Sequence, residues 1–210
     1  MQILSHRGYW KVPTEKNSTV AFSRSRRLGF GVETDIRDLS GRLVISHDMP
    51  NGSEPGLEDL ARLFHDKDLP LALNIKADGL VEVLKKGLSR YKIRDWFAFD
   101  MSVPDMRSYL DEKLPVFARV SDVERNPSWI DEVAGIWLDS FHVDNYDIGR
   151  CSEFLQTKMR VCIVSPELHG WAYEPLWRAI KPISTHVGSM LCTDYPERAK
   201  AFFKGTIGGE

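Results

Sequence analysis

The sequence lacks most of the features that place a chain in a class at sight. Its three cysteines, Cys151, Cys162 and Cys192, are an odd number set wide apart, which excludes a disulfide framework and the paired spacing of a zinc site. Cys162 and Cys192 fall inside short apolar runs and read as buried thiols, which suits a reducing cytoplasm. No apolar run is long enough to span a bilayer, so membrane insertion is not expected. The opening MQILSHRG has no long apolar core of a secretion signal. Net charge is only −2, with acids and bases mixed along the chain, so nothing electrostatic calls for a nucleic-acid partner or an anionic membrane. There is no internal repeat, no low-complexity tract and no linker. A glycine-rich phosphate loop after the first strand is also missing, which removes support for a nucleotide-binding Rossmann reading.

What is present is a regular alternation. The 210 residues, 42% of them hydrophobic, suit a single domain, 1–210, with an ordinary core. Short apolar runs predict strands at Ile3–Ser5, Val32–Arg37, Leu43–Ser46, Leu71–Ile75, Phe97–Phe99, Val116–Arg119, Gly135–Leu138, Arg160–Val164 and Met190–Thr193. Amphipathic stretches between most of them predict helices at Thr19–Leu28, Leu57–Phe64, Leu80–Leu88, Pro104–Leu110, Ile148–Leu155, Pro175–Ile180 and Pro196–Phe203. Asn17 or Ser18 is placed to cap the first helix, and Asp144 is read as an N-cap within DSFHVDNYD. Pro104 and Pro196 fit a first helical turn, where a missing amide hydrogen costs nothing. DLSGR, between the second and third strands, is too short for a crossover helix and predicts a turn at Ser40-Gly41. Otherwise the alternation of strand and helix implies a parallel sheet with helices outside it, either an open doubly wound sheet or a closed (β/α)8 barrel. Periodicity does not separate the two. About eight such units in this length is near the lower size of a barrel.

The informative stretch is VETDIR, Val32–Arg37. Side chains at i and i+2 of a strand share a face, so Glu33 and Asp35 stand side by side and need a compensating positive charge. Either the strand face is solvated or a divalent cation sits there. Other polar residues also collect just after strands, where parallel α/β folds keep their chemistry: His6 and Arg7, His47 and Asp48, Asn74 and Lys76, Asp139, Glu167 and Asp194.

The ordered set HRG (His6–Gly8), EKNSTVAF (Glu15–Phe22), GFGVETDIR (Gly29–Arg37), GRLVISHD (Gly41–Asp48), LALNIK (Leu71–Lys76) and LCTDYPERA (Leu191–Ala199) resembles the glycerophosphodiester phosphodiesterase family. The resemblance is dense over about the first third of the chain; between Ala77 and Met190 only the order of elements matches. It implies a compact (β/α)8 TIM barrel that hydrolyses a small phosphodiester with one divalent cation, Mg2+ or Ca2+. By that resemblance His6 and His47 correspond to the catalytic histidines, Glu33 and Asp35 to metal carboxylates, and Arg7 and Lys76 to the basic groups that bind the phosphate. The chemistry agrees with the roles. Imidazoles carry protons near neutral pH, and a hard cation with fixed basic groups neutralises phosphoryl oxygens.

The pattern breaks in three places. Asn74 stands where the family has a third acidic metal ligand, so the set loses one negative charge and metal affinity is expected to fall. Glu167 or Asp139 is a candidate for the missing carboxylate, or for contact with the substrate. The family's Pro-Glu-Asn-Thr is altered to EKNS, and VSPELHGW (Val164–Trp171) replaces a tryptophan-bearing strand end. Among nearby aromatics, Trp177 reads as core, while Trp171 is divided between core and a headgroup shelf. Two other functions remain open: a barrel that binds a ligand without turning it over, and a phospholipase-type enzyme acting on a lipid headgroup. The second would want an apolar rim, and the sequence offers none.

Overall fold

A computed structural model describes residues 1–142, 146–157 and 159–204 of the chain. Its nine strands are β1 (Gln2–His6), β2 (Gly31–Leu39), β3 (Arg42–Ile45), β4 (Leu71–Ile75), β5 (Trp96–Phe99), β6 (Phe117–Val120), β7 (Gly135–Leu138), β8 (Arg160–Val164) and β9 (Ser189–Thr193). All but β3 run parallel, in the order β5-β4-β2-β1-β9-β8-β7-β6. A parallel bridge between Ala98 and Val116 returns β6 to the side of β5, where the Ala98 amide donates to Pro115 O at 2.9 Å. The sheet therefore closes, and a (β/α)8 barrel replaces the open alternative. β3 pairs antiparallel with β2, with Leu39 opposite Arg42. The connecting Ser40 and Gly41 both have positive φ, 51° and 77°, as a two-residue primed turn requires.

Helices α1 (Thr19–Leu28), α2 (Leu57–Phe64), α3 (Val81–Arg90), α4 (Val103–Asp111), α5 (Ile148–Gln156), α6 (Glu174–Ile180) and α7 (Pro196–Lys204) surround the strands. Ser18 caps α1, its hydroxyl accepting the Ala21 amide at 3.3 Å, which leaves Asn17 for other work. Pro104 and Pro196 lie in first turns, as expected. Asp147 caps α5 through the Arg150 amide at 2.9 Å; Asp144, the residue assigned that role from sequence, lies outside the described residues. The unit between β6 and β7 has no helix. Trp129, Ile130 and Val133 cover the barrel wall there instead, so the seven helices found among the described residues are the seven predicted.

The barrel interior explains where function collects. Its floor is apolar and filled: Phe97 stacks on Phe117 at 3.7 Å between ring centres, and Phe99 on Trp137 at 3.9 Å. Cys162 and Cys192 lie in the same layer, fully buried, with burial pushing both thiols up well above their ordinary values. Two residues further along five of the strands, on the same inward face, the side chains become polar. Leu4 is followed by His6, Ala72 by Asn74, Phe117 by Arg119, Trp137 by Asp139 and Cys192 by Asp194. A packed floor under a polar mouth is the arrangement in which barrel enzymes keep their sites, at the carboxyl ends of the strands.

Candidate active site

The β1–β2 side of the mouth is built on a strained turn. His6 ends β1 opposite Glu33 of β2, and the next two residues, Arg7 and Gly8, have φ of 54° and 77°. A left-handed arginine costs roughly 1 kcal/mol, and Gly8 has no substitute, because a Cβ there would stand 2.8 Å from the Ala21 Cβ. The turn aims the Arg7 amide at Glu33 Oε2, 3.2 Å away. It also brings Arg7 Nε to 3.1 Å from Asp35 Oδ2. Lys76 Nζ approaches Asp35 Oδ1 at 3.5 Å, and Asn17 Nδ2 donates to Asp35 Oδ2 at 2.9 Å. Asn17 is held in turn by the Thr34 hydroxyl at 2.7 Å.

The paired acids are not on a solvated face: Glu33 is 3% and Asp35 1% exposed. Burial holds the Glu33 carboxyl well above the usual range; His6 opposes that shift and the neighbouring Asp35 adds to it. His6 itself is fixed from the other side. Its Nδ1 donates to Asp194 Oδ1 at 2.8 Å, and its Nε2 lies 3.9 Å from Glu33 Oε2.

The β4–β8 side is a chain of charges. Asn74, opposite Asp35 in the register, donates through Nδ2 to Asp100 Oδ2 at 3.2 Å. Asp100 and Asp139 bracket the Arg119 guanidinium, which binds both. Asp139 Oδ1 then accepts from His169 Nε2 at 2.8 Å. That contact raises the His169 imidazole above its ordinary value. Glu167, held up by burial, accepts from the Ser165 and Thr193 hydroxyls and from the Asp194 amide, the last at 3.1 Å.

Of the residues singled out from sequence, His6, Arg7, Glu33, Asp35 and Lys76 converge, and Asn74 adjoins them across the register. His47 sits at the rim. The Ser46 amide before it donates to Asp35 O at 3.1 Å, while the half-exposed imidazole pairs with Asp48 Oδ1 at 3.0 Å. His47, Arg7 and Asn17 line one cleft of about 830 Å³. Glu167 and Asp139 do not contact the acidic pair: Glu167 braces the residue that holds His6, and Asp139 serves Arg119 and His169. Trp177 is core, 2% exposed, with Nε1 donating to Ser165 Oγ at 2.8 Å. Sequence reasoning missed the partnership of Asp194 with His6 and the whole Asp100–Arg119–Asp139–His169 chain. Asp194 carried a usable signal, since it follows the inward Cys192 by two residues.

Among the described residues no cluster of three or more histidine, cysteine, aspartate or glutamate side chains is arranged to hold a metal ion. The donors that do face one another are two carboxylates and one amide. Asn74 Oδ1 is a buried acceptor with no partner among the described residues, and an oxygen-seeking cation would satisfy it. The set fits one hard divalent cation, held with less negative charge than three carboxylates provide, because Asn74 is neutral and Arg7 and Lys76 already share Asp35.

No described helix is long and apolar enough to cross a membrane. No protein-family model matches the chain, and no curated protein matches it in sequence. Solved structures do resemble it. A protein from Galdieria sulphuraria assigned as a glycerophosphodiester phosphodiesterase is 14% identical, with a TM-score of 0.76 over 97% of this chain and 98% of that one. The glycerophosphodiester phosphodiesterase of Agrobacterium tumefaciens is 15% identical, with a TM-score of 0.70 over 98% and 100%. A Ca2+-dependent phosphatidylinositol-specific phospholipase C from Streptomyces antibioticus is 10% identical, with a TM-score of 0.60 over 96% and 95%. The likeness in fold to these proteins thus runs along nearly all of the chain.

Proposed function

We propose that this chain is a phosphoric diester hydrolase that cleaves a small glycerophosphodiester-like molecule with one divalent cation, Mg2+ or Ca2+. The observation that carries the reading is the meeting of His6, Arg7, Glu33, Asp35 and Lys76 above an apolar barrel floor. Asp194 fixes the tautomer of His6: with Nδ1–H committed to the carboxylate, Nε2 presents its lone pair to the mouth. His6 therefore takes a proton from the attacking hydroxyl or water, or, once protonated, gives one to the departing alkoxide. His47, which lines one cleft with Arg7, supplies the opposite transfer. Arg7 and Lys76 bring fixed positive charge to the non-bridging oxygens, exchanging part of their hold on Asp35 for the phosphate.

Glu33, Asp35 and Asn74 Oδ1 would hold the cation, which supplies Lewis-acid neutralisation of the phosphoryl group. Attack by a neighbouring substrate hydroxyl gives a cyclic phosphate, and attack by water gives the monoester directly. Three free, buried cysteines suit a cytoplasmic role in the turnover of deacylated lipids. The test is release of a phosphomonoester from glycerophosphodiesters by the purified protein, with and without a chelator. Chelator-sensitive release supports the reading; none with either cation contradicts it.

A further inference from the structure

The Asp139–His169 pair is not used by the chemistry above, yet it opens onto the same mouth. Asp139 follows β7 and is 4% exposed. His169 ends the turn Pro166–His169 after β8, and its side chain keeps a quarter of its surface in solvent. Since Nε2 is bonded to Asp139, Nδ1 is the ring atom left to meet a ligand, and it has no partner among the described residues. Two aromatic rings flank the imidazole: Phe141 edge-on at 5.9 Å and Trp171 tilted at 5.3 Å. Phe141 is 45% exposed. The nearest strong cation, Arg119, is spent between Asp100 and Asp139 and has little left for a substrate. The turn that carries His169 also carries Glu167, which accepts the amide of Asp194, the partner of His6. The two imidazoles are thus linked through Glu167 and Asp194.

We infer that His169, walled by Phe141 and Trp171, binds a hydroxyl on the alcohol arm of the diester and selects a neutral polyol arm. Chemistry narrows the choice. A hydroxyl donates and accepts, so it bonds to Nδ1 whichever proton state the ring holds. Asp100 and Asp139 are committed to Arg119, and Asp122 to His142 and the Phe141 amide, so among these described residues no free carboxylate is left to hold an ammonium and no free cation to hold an anion. The C–H faces of a polyol lie well against Trp171 and the exposed face of Phe141.

This assignment rests on the phosphodiesterase reading, and its test is separated from turnover by measuring binding. Calorimetric affinities of an inositol monophosphate and of phosphoethanolamine are compared for the wild-type chain, His169→Ala, His169→Gln and Trp171→Ala, with circular dichroism confirming the fold. The wild type is expected to prefer the polyol by about tenfold, the worth of one good hydrogen bond with its packing. His169→Ala should abolish that preference and leave phosphoethanolamine affinity unchanged; His169→Gln, which keeps a polar side chain, should restore part of it. Trp171→Ala should weaken the polyol alone. Equal wild-type affinities, no binding of either compound, or an equal loss of both in His169→Ala would overturn the inference. A chain that shows the preference but hydrolyses no diester would instead refute the functional reading.

Discussion

His6 and Asp194, 188 residues apart in sequence, lie 2.8 Å apart from Nδ1 to Oδ1. The contact follows from barrel closure: β1 and β9 are neighbours, with Ser5 opposite Thr193, and each next residue turns inward. Asp194 does no chemistry of its own. In the proposed reaction it orients the ring and fixes which nitrogen carries the proton. Asp194→Asn should lower kcat by roughly 100-fold and move KM little. Steady-state kinetics on a glycerophosphodiester, with the melting temperature as a control, makes the measurement; a loss confined to KM would remove the assigned role.

Among the described residues the His47 imidazole pairs only with exposed Asp48, while Arg37 Nε donates to the His47 carbonyl at 3.2 Å, so its position depends on the backbone at the β3 end. His47→Ala should cost about 10²–10⁴-fold in turnover, because a proton transfer is lost. Asp48→Ala should leave the rate within about threefold, as exposed ion pairs are worth little. Equal effects of the two changes would show that the pair acts as a unit.

Burial pushes Glu33 up to about 7, from an ordinary value of 4.5. The folded chain therefore binds more protons than the unfolded chain between those values, and stability falls as pH rises through that window, then levels off. Melting curves in a chelator should show the decline, and Glu33→Gln should flatten it. A divalent cation, which needs the ionised form, should stabilise the protein increasingly over the same range. Parallel curves for the wild type and Glu33→Gln would refute this.

Asn74 donates to Asp100, so a glutamate there would put two carboxylates against each other until a cation intervenes. Asn74→Glu should lower the melting temperature without metal, yet enlarge the rise produced by Mg2+ or Ca2+, with calorimetry reporting tighter binding. An unchanged metal affinity would place Asn74 outside the set of ligands.

Much of this was legible because barrel strands are short, apolar on both faces and bounded by turns, so all nine strands and seven helices answer to the predicted segments. Glu33 and Asp35 were readable as a pair because two-residue spacing fixes a shared face whatever surrounds it. Asp100 and Arg119 were not. Each is one charge at the end of a buried run, identical in sequence to a surface charge. Only closure, which sets the ends of β5 and β7 on either side of β6, turns them into a network. The partner of His169 was missed for the same reason, Asp139 lying 30 residues away just after β7.

The proposed reaction is phosphodiester cleavage at the mouth that holds His6 and the buried acids. Phosphorus NMR of a glycerophosphodiester incubated with the chain and Mg2+ or Ca2+, beside His6→Ala, tests it most directly. The diester resonance should give way to a monoester, through a cyclic phosphate if the substrate hydroxyl attacks, and persist with His6→Ala. A diester signal unchanged by the wild-type chain, or lost equally with His6→Ala, would contradict it.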